Sequence, residues 1–300
     1  MAADPIPGDG TRGGMLGIFR RNTGLQLGGL LFPALFWLTL FFAIPLIVIV
    51  LYSFATPSNT GAIIWNLTPT NYARIFSDAG YVNAYLRSIW TALLTTVICL
   101  LLGYPLALFI VQREARWRTV LLFLILIPFW TNFLVRIYAW MIILSNNGLL
   151  NSLLQSLSLG KVNFYPSEGA VLLGLVYGEL PFMVLPLYAA LDRFDFRLME
   201  AASDLGANRL KAFTRVMLPL TMPGVAAGSV LVFIPTIGQF VVSDLLGGAK
   251  VDYIGNLLQR LFTRSNPPNW PLGSSMAIVL MTVLTAVIIF YFRTTTEDDR

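Results

Sequence analysis

Histidine is absent from this 300-residue sequence, and cysteine occurs once, as Cys99. Without histidine there is no zinc site of the His-Glu-x-x-His kind and no Ser-His-Asp or Cys-His nucleophilic mechanism. One cysteine excludes an intrachain disulfide and a cysteine metal cluster. Charge is scarce too: 12% of residues are charged and 56% hydrophobic, where a soluble domain carries roughly 25% charged residues. Such a chain cannot cover itself with polar surface. Its net charge of +5 is spread over short connections between apolar runs, a distribution that sets membrane orientation and does not make a nucleic-acid face.

Long apolar runs are what the sequence has in abundance. Six stand out, at about residues 30–54, 88–112, 119–144, 168–191, 223–246 and 273–292. A hydrocarbon core of about 30 Å takes roughly 20 helical residues, and none of the runs alternates apolar with polar as barrel strands do. The expected fold is therefore an all-α integral membrane protein with about six transmembrane helices over residues 30–292. Residues 1–29 form a Gly/Pro-rich polar tail expected to be disordered, and residues 293–300 a second short tail. Prolines 33, 45, 105, 128, 181, 186 and 235 lie inside five of the six runs. Each frees a carbonyl that neighbours or a wet cavity must satisfy, which suits a transport path better than a simple anchor.

Lys and Arg divide unevenly between the two sets of connections. The N-terminal tail, 113–118, 192–222 and the C-terminal tail hold thirteen; the alternate connections, with Arg74, Arg87, Lys161, Lys250, Arg260 and Arg264, hold six. Both termini are expected in the cytoplasm.

The cytoplasmic connection 192–222 is long, charged and helical by propensity. A helix from about Arg197, broken by Gly206 and resumed to Leu218, gives two short amphipathic helices around a turn. A structured loop of this length is usually functional, and here it reads as a docking element for a cytoplasmic partner. Within it, Glu200-Ala201-Ala202, three residues, Gly206, nine residues, Val216, one residue and Leu218-Pro219 resemble the cytoplasmic loop of ATP-binding-cassette importer permeases, with Val216 where isoleucine is commoner. The resemblance implies that Glu200, Ala201, Ala202, Gly206, Leu218 and Pro219 belong to coupling helices that sit on an ATPase subunit. It also implies a type I importer permease fold, a second permease subunit, two ATPase subunits and a periplasmic substrate-binding protein. The chain itself is expected to bind no cofactor and to hydrolyse no ATP. Its only Gly-Lys pair, Gly160-Lys161, is followed by Val162 and preceded by Gln155 where a phosphate-binding loop needs glycine. ATP and Mg are expected on the partner.

Further segments are similar to the spermidine/putrescine branch of that family: Ile127-Pro128-Phe129-Trp130-Thr131-Asn132 through Arg136-Ile137-Tyr138, Gly174-Leu175-Val176-Tyr177, Leu180-Pro181-Phe182-Met183, and Val242-Ser243-Asp244-Leu245-Leu246-Gly247-Gly248-Ala249-Lys250. The similarity runs from about residue 30 to 292, with Glu179 and Gln239 as departures, and implies a polyamine substrate in a bacterial inner membrane. Relatives in the same branch carry other small organic solutes.

Ionisable groups at membrane depth cost about 3 kcal/mol or more and mark a pathway or an ion pair. At about 1.5 Å per residue, Arg136 and Glu179 fall about 12 and 16 Å from the outer helix ends, within reach of one another. Two readings stand: an Arg136–Glu179 bridge, or Glu179 free to meet substrate. Asp244 is expected near the outer end of the fifth run with no basic neighbour but Lys250, a carboxylate open to an ammonium group. Trp130, Tyr138 and Tyr177 are candidates for cation–π contact with a polyamine, set against ordinary helix packing. A secondary transporter is the rival from another class, but it would show two repeated halves, and the sequence has no internal repeat. An intramembrane enzyme would need more than Gly273-Ser274-Ser275-Met276-Ala277, which lacks a histidine base.

Overall fold

The computed structural model describes residues 23–58, 62–248 and 252–297, and the chain divides into two units at Tyr52/Ser53. The expected tail is thus described only from Thr23 onward; Lys250 lies outside the described residues.

The first unit is one apolar rod: α1 (Thr23–Leu38), a π-helical turn (Thr39–Ala43) and α2 (Ile44–Ser53). Pro45 explains the π turn. A proline removes one amide donor and crowds the carbonyl four residues back, so the chain widens by one residue and Ile44 N–H reaches Thr39 O. The same solution recurs in the second unit, where a π turn at Phe213–Met217 precedes Pro219 and Leu218 N–H bonds to Phe213 O. Phe32, Trp37 and Phe41 are exposed. Leu31–Ser53 is 23 residues long and apolar all round, as a helix covered by bilayer must be.

The second unit is built on three helices: α4 (Ala79–Val111), α8 (Glu168–Asp192) and α12 (Met222–Gly238). Their shared core holds Cys99, Ala107, Ile110, Met183, Val184, Leu187, Leu191 and Val232, all fully buried. In lipid, helices associate by close packing of small residues, and Gly224 does this here. A Cβ there would stand 2.4 Å from the Ala190 Cβ and 2.9 Å from Pro186 O, so only glycine lets α12 lie against α8. Two buried tyrosines are satisfied by partners distant in sequence: Tyr85 Oη donates to Met276 O at 2.6 Å, and the Tyr104 and Thr221 hydroxyls meet at 2.9 Å. Around this core run α3 (Thr70–Ser77), α5 (Ala115–Leu126), α6 (Phe133–Leu144), α7 (Leu149–Ser156) and the final α15 (Trp270–Glu297). A two-residue hairpin pairs Thr56 with Ile64.

Among the described residues five helical stretches are long and apolar enough to span, and Arg209–Leu220, which ends in α11 (Leu218–Leu220), makes a bent pair with Met222–Gly238, turning by 68°. Two of the expected spans differ from continuous helices. The third run is two 12-residue helices, α5 and α6, separated by a 3-10 turn at Ile127–Trp130, because Pro128 cannot continue the ladder and Asn132 caps a new start, accepting from Leu134 N–H at 2.8 Å. The fifth ends at Gly238. Gln239 is extended, with φ −70° and ψ 121°, and a separate helix α13 (Val241–Gly247) follows. Asp244 therefore sits beyond a break in the backbone, not at the end of an intact span.

Candidate functional site

The loop at one end of the bundle is a pair of short helices, α9 (Arg197–Asp204) and α10 (Arg209–Ala212), with Gly206 between them. Asn208 is the N-cap of α10, its Oδ1 accepting from Lys211 N–H at 2.8 Å, and ahead of α9 Asp195 Oδ1 accepts from Arg197 N–H at 3.0 Å. Gly206 has φ +84°. Around it Gly206 N–H bonds to Ser203 O and Ala207 N–H to Ala202 O, the paired bonds that close a helix over a left-handed residue. One side of this unit packs on the bundle: Phe196, Met199, Phe213, Val216 and Leu218 join the main core, and Phe213 meets Tyr104 edge-on at 5.3 Å. The other side is open. Glu200, Ala201, Gly206 and Pro219 are exposed, while Ala202 and Leu218 are half-buried. Leu205 at 89% and Leu210 at 69% exposure stand beside them. The sequence pattern did not single out those two leucines; their signal was two apolar residues flanking a turn in an otherwise charged loop. At the same end, Arg118 holds Asp192 at 2.7 Å.

At the opposite end, the chain gathers its other charged side chains. Arg87, near the start of α4, lies 3.7 Å from Glu168 at the start of α8. Beyond the break at Gln239, α13 packs against α14 (Ile254–Gln259), and a π turn at Arg260–Arg264 follows. Gly255 makes the approach possible, since a Cβ there would fall 2.6 Å from Gly238 O. Asp244 is not the isolated carboxylate expected from the sequence. Arg264 Nη2 lies 3.0 Å from its Oδ2, and Asn256 Nδ2 donates to its Oδ1. Ser243 Oγ in turn donates to Asn256 Oδ1 at 2.7 Å, and Arg260 pairs with Asp252. The sequence hid the Asp244 partner because Arg264 is twenty residues away and reaches back only through the turn after α14. Behind this network, burial holds the Tyr253 hydroxyl above the ordinary tyrosine pKa, with a hydrogen bond to Thr91 pulling the other way.

Midway along α8, Glu179 is only 7% exposed, and its Oε2 has no hydrogen-bond partner. Arg136 on α6 acts on it electrostatically. The expected bridge is nevertheless not made: among the described residues no ion pair joins the two, and Arg136 Nε and Nη1 are also buried without partners. Packing accounts for the separation. The Arg136 guanidinium lies over the Phe129 and Phe133 rings, 5.0 and 5.7 Å from their centroids. Aromatic pairs pin the 3-10 turn and α6 to α8: Phe129 on Phe182 at 5.0 Å and Trp140 on Tyr177 at 5.5 Å. Tyr177 is therefore a packing contact. Trp130, 80% exposed on the 3-10 turn, and Tyr138, also exposed, stand clear of it; among the described residues no ring contact joins the three candidates.

An apolar helical bundle with broken spans, a capped helix pair displayed at one end and a charged mouth at the other defines a membrane transport permease. The fold agrees: a bacterial ABC transporter importing the acidic polysaccharide alginate aligns with TM-score 0.67 at 18% identity, over 94% of this chain and 98% of that one. Residues 79–295 match the family described as binding-protein-dependent transport system inner membrane component, and the chain belongs to that family. It is 44% identical over 264 residues to the spermidine/putrescine transport system permease protein PotB of Haemophilus influenzae, covering 86% of this chain and 90% of that protein. It is 43% identical to PotB of Escherichia coli K12, covering 86% and 93%. To the inner membrane ABC transporter permease protein YdcU of Escherichia coli K12 it is 29% identical, covering 94% and 93%. The protein is a multi-pass inner-membrane component.

Proposed function

We propose that this chain is the membrane-spanning permease subunit of an ATP-driven importer of polyamines, spermidine and putrescine, delivered by a periplasmic binding protein. The observation that carries the reading is identity of 43–44% across about nine-tenths of the PotB chains. At that level the segments lining a translocation path come from the same branch. The helix–Gly206–helix unit, with Glu200, Ala201, Ala202, Leu218 and Pro219, is the docking element for the ATPase. Leu205 and Leu210 add the apolar contact, since exposed leucines on a structured loop mark a partner surface. That partner binds ATP and Mg and hydrolyses the ATP, and this chain carries no cofactor.

The assembly is this chain, a second permease subunit of the PotC kind, two ATPases of the PotA kind and a binding protein of the PotD kind. Six spans make a thin wall for a path, and the second permease closes it. The deciding experiment is uptake of labelled spermidine and putrescine by cells expressing the full set, with and without the ATPase. Uptake that needs the ATPase supports the reading. ATPase-independent uptake would favour a secondary transporter, and ATPase-dependent uptake of other organic solutes but of neither polyamine would move the chain to another branch of the family.

The thirteen-to-six distribution of Lys and Arg supports cytoplasmic termini, which puts the Gly206 loop on the ATPase side and Asp244 on the binding-protein side. Reporter fusions at Met1 and at Arg300 are expected to be active only in the cytoplasm; periplasmic activity of either would invert the topology and remove the docking assignment with it.

A further inference from the structure

The Asp244 pair joins a largely buried partner to an exposed one. Asp244 is carried on α13, with its side chain 19% exposed. Asn256, itself 5% exposed, donates to one carboxylate oxygen, and Ser243, 3% exposed, holds the Asn256 amide in orientation. Asn256 Nδ2 also reaches Phe240 O at 3.3 Å, so the same side chain ties the carboxylate to the broken backbone after Gly238. Arg264 differs in kind. It is the last residue of the π turn, its side chain is 59% exposed, and among the described residues its ionic contact is with Asp244 Oδ2. The neighbouring cation, Arg260, is already taken by Asp252.

A carboxylate preorganised by two buried side chains and covered by an exposed cation is a cation site holding a surrogate ligand. We propose that Arg264 is a built-in counter-ion: it occupies the Asp244 carboxylate between transport events, and an ammonium group of the incoming solute displaces it. The inference rests on the polyamine reading above and adds to it a specificity device. A guanidinium and an alkylammonium make the same charge-assisted contact with a carboxylate. The exposed arginine has little burial to lose when it swings into water. Only a solute cation strong enough to compete gains the carboxylate, so neutral and anionic solutes leave the Arg264–Asp244 pair in place. The self-occupied site also lowers the apparent affinity for solute by the fraction of time Arg264 is bound.

The sign of the effect separates this from a structural role. In the purified complex in nanodiscs, without the binding protein, Arg264→Gln is expected to bind labelled spermidine about three- to fivefold more tightly than wild type, because the competitor is gone. Arg264→Lys should stay near wild type, and Asp244→Asn should abolish the gain of Arg264→Gln when the two are combined. Weaker or unchanged spermidine binding by Arg264→Gln, in a wild-type complex that does take up spermidine, overturns the proposal. A second arm needs no transport. Modification of Asp244 by a water-soluble carbodiimide, read by mass spectrometry on the complex, should rise several-fold in Arg264→Gln as the carboxylate is uncovered. Unchanged modification overturns the counter-ion role whatever the solute, whereas a wild-type complex that takes up no polyamine, with modification enhanced in the variant, overturns only the substrate reading.

Discussion

Gly206→Pro, or deletion of residues 200–207, is expected to abolish assembly with the ATPase while leaving the permease in the membrane. Gly206 sits at φ +84°, and proline is held near −65°. The same substitution removes the Gly206 N–H bond to Ser203 O that closes α9. Space is not the difficulty, because a Cβ at Gly206 would meet nothing within 4 Å. The backbone angle and the lost N–H bond carry the effect, and Gly206→Ala, which keeps the N–H, supplies the graded control. Alanine in the left-handed region costs about 1–2 kcal/mol, enough to weaken docking but not to remove the turn. The buried side of the loop, Met199, Phe213 and Leu218, belongs to the bundle core and does not depend on the turn, so insertion and folding of the spans should survive. Co-purification of the ATPase with tagged permease gives the ranking: wild type, then Gly206→Ala, with nothing above background for Gly206→Pro. Capture at wild-type level by the proline variant would show that the helix pair is not the docking element.

Much of the fold was legible because bilayer chemistry leaves few choices. Runs of twenty apolar residues with no polar alternation can only be helices, and the fourth expected span, 168–191, is observed as Glu168–Asp192. The loop was legible for a different reason: a glycine between two amphipathic stretches has a local conformational signature that needs no tertiary context. The breaks in the third and fifth spans were less visible. Proline inside a span is compatible with a kink or with a stop, and neighbours decide which. Pro181 and Pro186 stay inside a continuous α8, whereas Pro128 begins a 3-10 turn. The stop after Gly238 depends on Gly255 coming close enough to pack on the freed carbonyl, a contact between residues seventeen apart.

Ion pairing was the least legible layer, since it is set by three-dimensional proximity of a few long side chains. Counting helical rise placed Arg136 and Glu179 at similar depth, and they do influence one another, but the aromatic rings around Arg136 hold its guanidinium aside. Asp244 was read as unpaired because only Lys250 stood near it in sequence, and its partner proved to be Arg264.

Arg136→Met is expected to destabilise the assembled complex severely, and Glu179→Gln in the same chain is expected to recover most of the loss. The basis is the asymmetry of buried charge. With both residues present, Arg136 is the cation that acts on a carboxylate only 7% exposed at mid-membrane. Methionine keeps the unbranched stem and the contact with Phe129 and Phe133 but removes the charge, leaving the buried Glu179 with no cation acting on it, and an uncompensated charge away from water is costly. Glu179→Gln alone should be milder, because the guanidinium it leaves behind still lies over two aromatic faces, worth about 0.5–2 kcal/mol to a cation. The double variant has neither charge, so its loss should fall well below the sum of the two single losses, with a coupling on the order of 1–3 kcal/mol. Thermal unfolding of the purified complex in nanodiscs measures all four members of the cycle, and spermidine uptake normalised to assembled complex follows alongside. Strict additivity would mean that the two charges do not act on each other. If stability were additive while Glu179→Gln alone cut uptake, Glu179 would serve the solute and not Arg136.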